Sequence, residues 1–239
     1  MVGIGTIVNG AAVIAGGIIG LCCKKGMSQR FQDIIMQAAG LAVLFIGISG
    51  ALEKMFAVQD GSISTHGTMM VVLSLVIGAF IGELLNIEKH IEDLGEWLKK
   101  KLKSEGDSLF MEGFLTTSLT ICIGAMAVVG SLQDGLLGDP SMLFTKAILD
   151  GVIVIVFAAA FGKGAICSVV PLVLFQGSIT LFAKLIEPFL TNRMIDGMSM
   201  IGSMLIFCVG LNILFPKKMK VANMLPSLVI AVIYVVLGF

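Results

Sequence analysis

The chain has 239 residues, of which 57% are apolar and only 13% charged, and its formal net charge is zero. Soluble domains carry about 25% charged residues to cover their surface, so a soluble globular fold is excluded and a lipid-solvated one expected, in keeping with a mean hydropathy of +1.03. Zero net charge also offers no basic field for nucleic acid, so no nucleic-acid partner is expected.

A bilayer core about 30 Å thick needs about 20 apolar residues per helix. Eight runs qualify in chain order: Val2–Cys23, Phe31–Leu52, Thr68–Ile87, Phe110–Leu132, Leu143–Phe161, Ala165–Ile186, Met198–Phe215 and Met224–Phe239. Backbone groups in hydrocarbon must bond internally, and the Leu, Ile, Ala and Met content favours helices over barrel strands. The predicted class is therefore an all-α polytopic membrane protein. The first run has no positive charge before its apolar core, so it reads as a retained span rather than a cleaved leader. Only Gly162-Lys163-Gly164 separates the fifth and sixth spans, which leaves open a re-entrant segment there.

Between the third and fourth spans, Glu88 to Asp107 is polar. Ile87, Ile91, Leu94, Leu98 and Leu102 recur at helical spacing, with Glu96 one turn before Lys100. The expected element is an amphipathic helix on the inner leaflet with Trp97 near the headgroups. The alternative is a partner-docking or gating helix.

Basic residues set the orientation. Lys24, Lys25, Arg30, Lys89, Lys99, Lys100, Lys101, Lys103, Lys163, Lys217, Lys218 and Lys220 fall in alternate connections, against Lys54, Lys146, Lys184 and Arg193 on the other side. The first set is expected in the cytoplasm, with both termini outside.

Echoes link the first three spans with the last three. Ile4-Gly5-Thr6-Ile7-Val8 resembles Ile166-Cys167-Ser168-Val169-Val170. Arg30-Phe31-Gln32-Asp33 resembles Arg193-Met194-Ile195-Asp196, and Gly40 to Phe45 resembles Gly202 to Phe207. Ser74-Leu75-Val76-Ile77 returns as Ser227-Leu228-Val229-Ile230. The offset stays at 162 or 163 residues through the second span and is 153 in the third. Units starting at spans one and six lie in opposite orientations, the plan of many secondary transporters. The organisation expected is a single transmembrane domain: residues 1–87 and 165–239 as inverted three-helix units, 88–109 as the cytoplasmic helix, and 110–164 as spans four and five.

Polar side chains at membrane depth are costly and mark candidate sites. Asp150 lies about two turns inside the fifth span, with Lys146 one turn before it. They form either a structural i,i+4 pair or a proton or cation site. Asn9, Gln176 and Asn212 have interhelical hydrogen bonding as their ordinary role. Asn9 aligns with Pro171 in the repeat, where a broken helix would expose carbonyls to a solute. Thr116 and Thr117 belong to a hydroxyl patch with Ser118 and Thr120, which can bond to its own helix. Glu83 and Glu112 fall near span ends, at the interface. Gly16/Gly20 and Gly78/Gly82 permit close helix contact.

The five cysteines, Cys22, Cys23, Cys122, Cys167 and Cys208, have neither zinc spacing nor a disulfide framework. Met200, Met204 and Cys208 share a face whose sulfurs suit Cu(I), but such methionines are mostly core or lipid-facing filler. His66 and His90 fall outside the spans, and Gly162-Lys163-Gly164 lacks the flanking residues of a phosphate loop. No nucleophile–base–acid set is visible. No metal, cofactor or enzymatic activity is expected.

The chain resembles the bacterial membrane proteins of the domain-of-unknown-function 554 family (YqgA-like and YdfK-like proteins) along essentially its whole length. The likeness rests on Gly5-Thr6-Ile7-Val8-Asn9, Gly82-Glu83 with Ile87-Glu88, Gly124-Ala125-Met126, Leu149-Asp150-Gly151, Gln176-Gly177 and Leu225-Pro226. It implies a bacterial cytoplasmic membrane, adds weight to Asn9, Asp150 and Gln176, and implies no substrate. The expected function is a carrier or channel for a small polar solute or ion. The rival is a scaffold or sensor acting through residues 88–107. Small-residue faces also suit a homodimer.

Overall fold

The computed structural model describes residues 2–25, 28–59, 62–186, 191–215 and 219–238. The helices are α1 (Ile4–Lys25), α2 (Gln29–Met55), α3 (Thr68–Leu85), α4 (Ile87–Lys101), α5 (Phe110–Cys122), α6 (Ala125–Leu137), α7 (Ser141–Phe161), α8 (Lys163–Cys167), α9 (Val169–Leu181), α10 (Ala183–Ile186), α11 (Asn192–Leu214) and α12 (Pro226–Val236), the last preceded by a 3-10 turn at Val221–Met224. A short antiparallel hairpin, β1 (Phe56–Gln59) and β2 (Ser62–Thr65), follows α2 and pairs Phe56 with Thr65. No apolar alternation in that connection announced it.

Six of these stretches are long and apolar enough to cross a membrane, and the α5–α6 pair, bent by 60°, makes a seventh if it is one broken span. The chain is thus an all-α polytopic membrane protein. The eighth expected span corresponds to the shorter apolar helix Val221–Val236. Its lipid-facing character is plain in α3, where Met70, Ser74, Gly78 and Gly82 are buried while Met69, Val72, Val76, Phe80 and Leu84 are exposed. In lipid there is no hydrophobic drive between helices, so small residues line the contact and large apolar ones face out.

The chain folds as two compact units, one of Met1–Ala39, Ile91–Cys122 and Met126–Phe189, the other of Gly40–His90, Ile123–Ala125 and Leu190–Phe239. In the first unit α1 and α7 run parallel. A Cβ at Gly16 would stand 2.5 Å from the Gly151 carbonyl oxygen, and one at Gly20 2.3 Å from that of Ile155. The backbones touch because no side chain stands between them. By contrast α1 is antiparallel to α8–α9, with Gly10 against Val169 and Val173 and Gly17 against Ile166. Helix α5 is antiparallel to α7, since Gly113 meets Phe161 while Lys146 bonds to Ile121.

In the second unit α2 and α11 are antiparallel, with Leu44 on Gly210, Gly47 on Phe207 and Gly50 on Ser203. Helix α3 is antiparallel to α12, with Gly82 on Asn223, Gly78 on Ser227 and Met70 beside Val235.

Three expectations need correction. The fourth span is not continuous: α5 stops at Cys122, and α6 starts at Ala125 after Ile123 and Gly124. The helical part of the polar segment is Ile87–Lys101, and its apolar stripe packs on protein rather than on a leaflet. Ile91, Leu94 and Leu98 meet Phe110 and Phe114, because the short 102–109 connection folds the stripe back onto α5. Trp97 stays exposed, with the Lys101 ammonium 4.7 Å from its ring centroid. Finally, the sixth span is not broken at Pro171: Lys163–Leu181 runs as one 19-residue stretch, and the turn at Ser168, three residues before Pro171, keeps helical dihedrals. Pro171 thus falls in the first turn of α9, where its missing N–H is tolerated.

The corner between α7 and α8 is a single residue, Gly162, at φ 94° and ψ −146°. A side chain is disfavoured at that φ, and a Cβ there would also meet Lys24 Nζ at 3.0 Å and Asp107 Oδ2 at 3.2 Å. Lys24, Asp107 and Lys163, which bonds Ser104 Oγ at 3.4 Å, thereby gather at one end of the first unit. Lys217 and Lys218 lie outside the described residues.

Candidate functional site: a buried polar network

The contact of α1 with α7 sets the site. Asn9 lies nearly two turns before the Gly16/Gly20 contact, on the part of α1 that meets both α7 and α9. Its Nδ2 donates to Asp150 Oδ2 at 2.9 Å and to Gln176 Oε1 at 3.3 Å. One turn before Asp150 on the same face of α7, Lys146 donates to both carboxylate oxygens at 2.8 and 2.7 Å. Its remaining hydrogen bond goes to the Ile121 carbonyl at 2.7 Å.

That last contact is a product of the broken span. The final turn of a helix leaves carbonyls without intrahelical donors and carries partial negative charge. Because α5 ends at Cys122, the Ile121 carbonyl is free to accept, and the Lys146 ammonium takes it. Asp150 in turn accepts from Lys146 twice and from Asn9.

All four side chains are buried: Asn9 and Gln176 at 0% exposure, Asp150 at 3% and Lys146 at 7%. Taking two charges out of water costs several kcal/mol per ion, recovered only where geometry is good and the remaining hydrogen-bonding positions are filled. Here the ammonium's three hydrogens are all used.

The network is not closed, however. Asn9 Oδ1, Gln176 Nε2 and Thr117 Oγ1 are buried without a hydrogen-bond partner among the described residues. Each such group costs about 1–3 kcal/mol in an apolar interior. Asn9 and Gln176 thus leave an amide acceptor and an amide donor of the network unused, and Thr117 a hydroxyl on α5. Thr116, also buried, accepts the Thr120 hydroxyl at its carbonyl at 2.8 Å, the within-helix bond expected of that patch.

The structure therefore joins Asn9, Lys146, Asp150 and Gln176 in one hydrogen-bonded cluster. Asn212 does not belong to it. Located in the second unit, it donates from Nδ2 to the Met219 carbonyl at 2.7 Å and accepts the Met219 N–H at 3.2 Å, tying Met219 to the last turns of α11. Met200 and Met204 pack with Met70, Ile201 and Ala231 in an apolar cluster. Among the described residues no three His, Cys, Asp or Glu side chains gather to hold a metal.

Among the buried polar residues that sequence reasoning missed, two make long-range hydrogen bonds. Asp134 on α6, at 0% exposure, accepts the Gly3 N–H at 3.2 Å and the Gly5 N–H at 3.0 Å. It thus caps α1, which has no acidic residue in its own first turn. It stands two residues past the apolar run Phe110–Leu132, where hydropathy does not mark a carboxylate as costly. Asp134→Ala should cost about 0.5–2 kcal/mol, as lost helix caps do. Faster hydrogen exchange at Gly3 and Gly5 than in the unaltered protein would locate the loss.

The other is Asn223, which accepts the Glu88 N–H at 2.6 Å and donates to Glu83 Oε2 at 2.7 Å. Glu83 also takes the Lys220 ammonium, which raises that amine's pKa above its ordinary value. This accounts for Gly82-Glu83 and Ile87-Glu88 as a motif: both pairs serve one joint with Asn223. Elsewhere in the second unit, an open cavity of about 530 Å³ is lined by Glu53, Lys54, His66, Arg193, Asp196 and Tyr234 among others. Lys54 bridges Glu53 at 3.2 Å and Asp196 at 3.0 Å there.

The family model described as "Protein of unknown function (DUF554)" matches residues 4–236. The chain is 36% identical over 237 residues to the uncharacterized membrane protein YdfK of Bacillus subtilis (strain 168), covering 98% of this chain and 97% of that one. It is 29% identical over 235 residues to the uncharacterized protein YqgA of Escherichia coli (strain K12), covering 95% and 94%. No solved structure matches it.

Proposed function

The chain belongs to the family of proteins of unknown function DUF554, and from its buried network we propose a secondary transporter or channel for a small polar solute or ion. One observation carries the reading. Two charges and two amides, on three helices of the first unit, are bonded to each other at membrane depth while Asn9 Oδ1 and Gln176 Nε2 keep unused capacity. Intramembrane ionisable groups are costly and mark substrate and ion pathways.

The proposed architecture has eight crossings, with α5–α6 as a broken span and Val221–Val236 as the last. Three antiparallel pairs support the inverted repeat: α1 with α9, α2 with α11 and α3 with α12. Each joins a helix to its sequence counterpart, as a two-fold axis in the membrane plane would. Discontinuous helices near such an axis are where transporters hold substrates and coupling ions. Both termini outside, a bacterial cytoplasmic membrane and a homodimer complete the proposal. The basic connections favour the orientation, and the small-residue faces the dimer.

Purified protein in liposomes tests it. Flux of at least one ion or metabolite from a broad panel is expected, reduced at least tenfold by Asp150→Asn. If the panel yields no flux, and Asp150→Asn is silent in cells, the transport reading fails. A scaffold acting through the exposed, charged face of α4 would then be the better account.

A further inference from the structure

We propose that the Lys146 ammonium sits in a built monovalent-cation site, and that a free cation of potassium-like size takes the same oxygens when the ammonium withdraws. This deepens the transport reading by naming a coupling or cargo species, and rests on it for the claim that exchange accompanies transport. The site itself is read from geometry.

Three oxygens surround the ammonium: Ile121 O at 2.7 Å and Asp150 Oδ1 and Oδ2 at 2.8 and 2.7 Å. Two kinds of negative potential converge there, a full carboxylate charge and the C-terminal end of the α5 half-helix. Unwound carbonyls and half-helix C-termini are what coordinate cations in broken-helix transporters. A single carboxylate balances a single charge, which points to a monovalent ion, and the place that an ammonium fills suits one of similar size.

A second observation separates an ion site from an ordinary ion pair. An ammonium has three hydrogens to donate, and these are used. A spherical ion accepts more oxygens than that. One fully buried oxygen without a partner belongs to a residue that touches the carboxylate: Asn9 Oδ1, whose own amide nitrogen holds Asp150. A structural pair gains nothing from it. A metal cation would recruit it.

The experiment uses full-length Lys146→Met, purified in detergent and melted in choline chloride with added NaCl, KCl or RbCl. The expected result is a low melting temperature in choline that rises saturably with KCl or RbCl. The unaltered protein, whose ammonium holds the site, and Lys146→Met/Asp150→Asn, which lacks the charge, should not respond. No rise in Lys146→Met, or an equal rise in the double variant, overturns the site. So does failure of Lys146→Met to purify in any of these salts while the double variant purifies, because the cation should replace the ammonium. Should Lys146→Met unfold in choline alone, recovery in KCl counts in favour. Flux by unaltered protein is measured separately. A silent flux panel with cation binding intact would sink transport and leave the site standing, and the converse result would do the reverse.

Discussion

Asp150→Ala is expected to destabilise the protein by about 3–5 kcal/mol, the cost of leaving a buried charge without its partner. The Lys146 ammonium would keep only the Ile121 carbonyl, and Asn9 Nδ2 only Gln176. Both are buried and cannot turn to water. Denaturant unfolding in mixed micelles would register the change as a lowered midpoint. The double variant Lys146→Met/Asp150→Leu is the sharper comparison. Replacing both members of a buried pair by apolar groups of similar volume is often neutral or stabilising, so it should recover most of the loss. If the pair were only structural, any flux would recover with it. The proposed function requires instead a stable, inactive protein. A double variant that is both stable and active would reduce Asp150 to a packing residue.

Gly82→Ala is the second large effect expected. The added methyl would stand 1.8 Å from the Asn223 carbonyl oxygen, a distance that only backbone movement relieves. Overpacking of this kind typically costs 1–3 kcal/mol. Here the displaced residue also holds Glu88 and Glu83 through its side chain, so those bonds weaken together and a loss of about 3 kcal/mol or more is expected. Gly177→Ala is the control. It adds the same methyl to a mid-helix position with nothing within 4 Å, where exchanging Gly for Ala should stabilise by about 0.5–1 kcal/mol. Equal melting temperatures for the two variants would contradict the close approach of α3 to the segment leading into α12.

The legible part of this protein was what lipid imposes one segment at a time. Apolar runs of bilayer length gave helix positions to within a few residues, as in the expected Leu143–Phe161 against Ser141–Phe161. The cost of polarity in hydrocarbon singled out Asn9, Lys146, Asp150 and Gln176 before any geometry was known. It also raised Asn212, which binds the backbone of Met219, because hydropathy does not separate an amide that bridges helices from one that holds nearby backbone. Asp134 and Asn223 escaped for the converse reason. Both stand beside span ends, where a polar side chain is cheap, and their partners lie over 120 positions away in the chain.

Periodicity likewise located the stripe of α4 without saying what would cover it. Lipid and the Phe110/Phe114 face are equally apolar, and only the short chain reversal into α5 chose between them. The break at Ile123-Gly124 lies inside an apolar run with no proline, so nothing local separates it from a continuous helix.

By itself, then, the sequence determined that this is a membrane-embedded helical protein and that Asn9, Lys146, Asp150 and Gln176, together with Asn212, Thr116 and Thr117, are polar side chains set in apolar runs, since both follow from transfer of each segment into hydrocarbon. The tertiary structure decided that the first four of these side chains meet, that the Ile121 carbonyl joins them, and which of their atoms stay unpaired. Those outcomes depend on which backbones can touch. That is settled by glycine contacts between residues more than a hundred positions apart, such as Gly16 on Gly151, and by the interruption between α5 and α6.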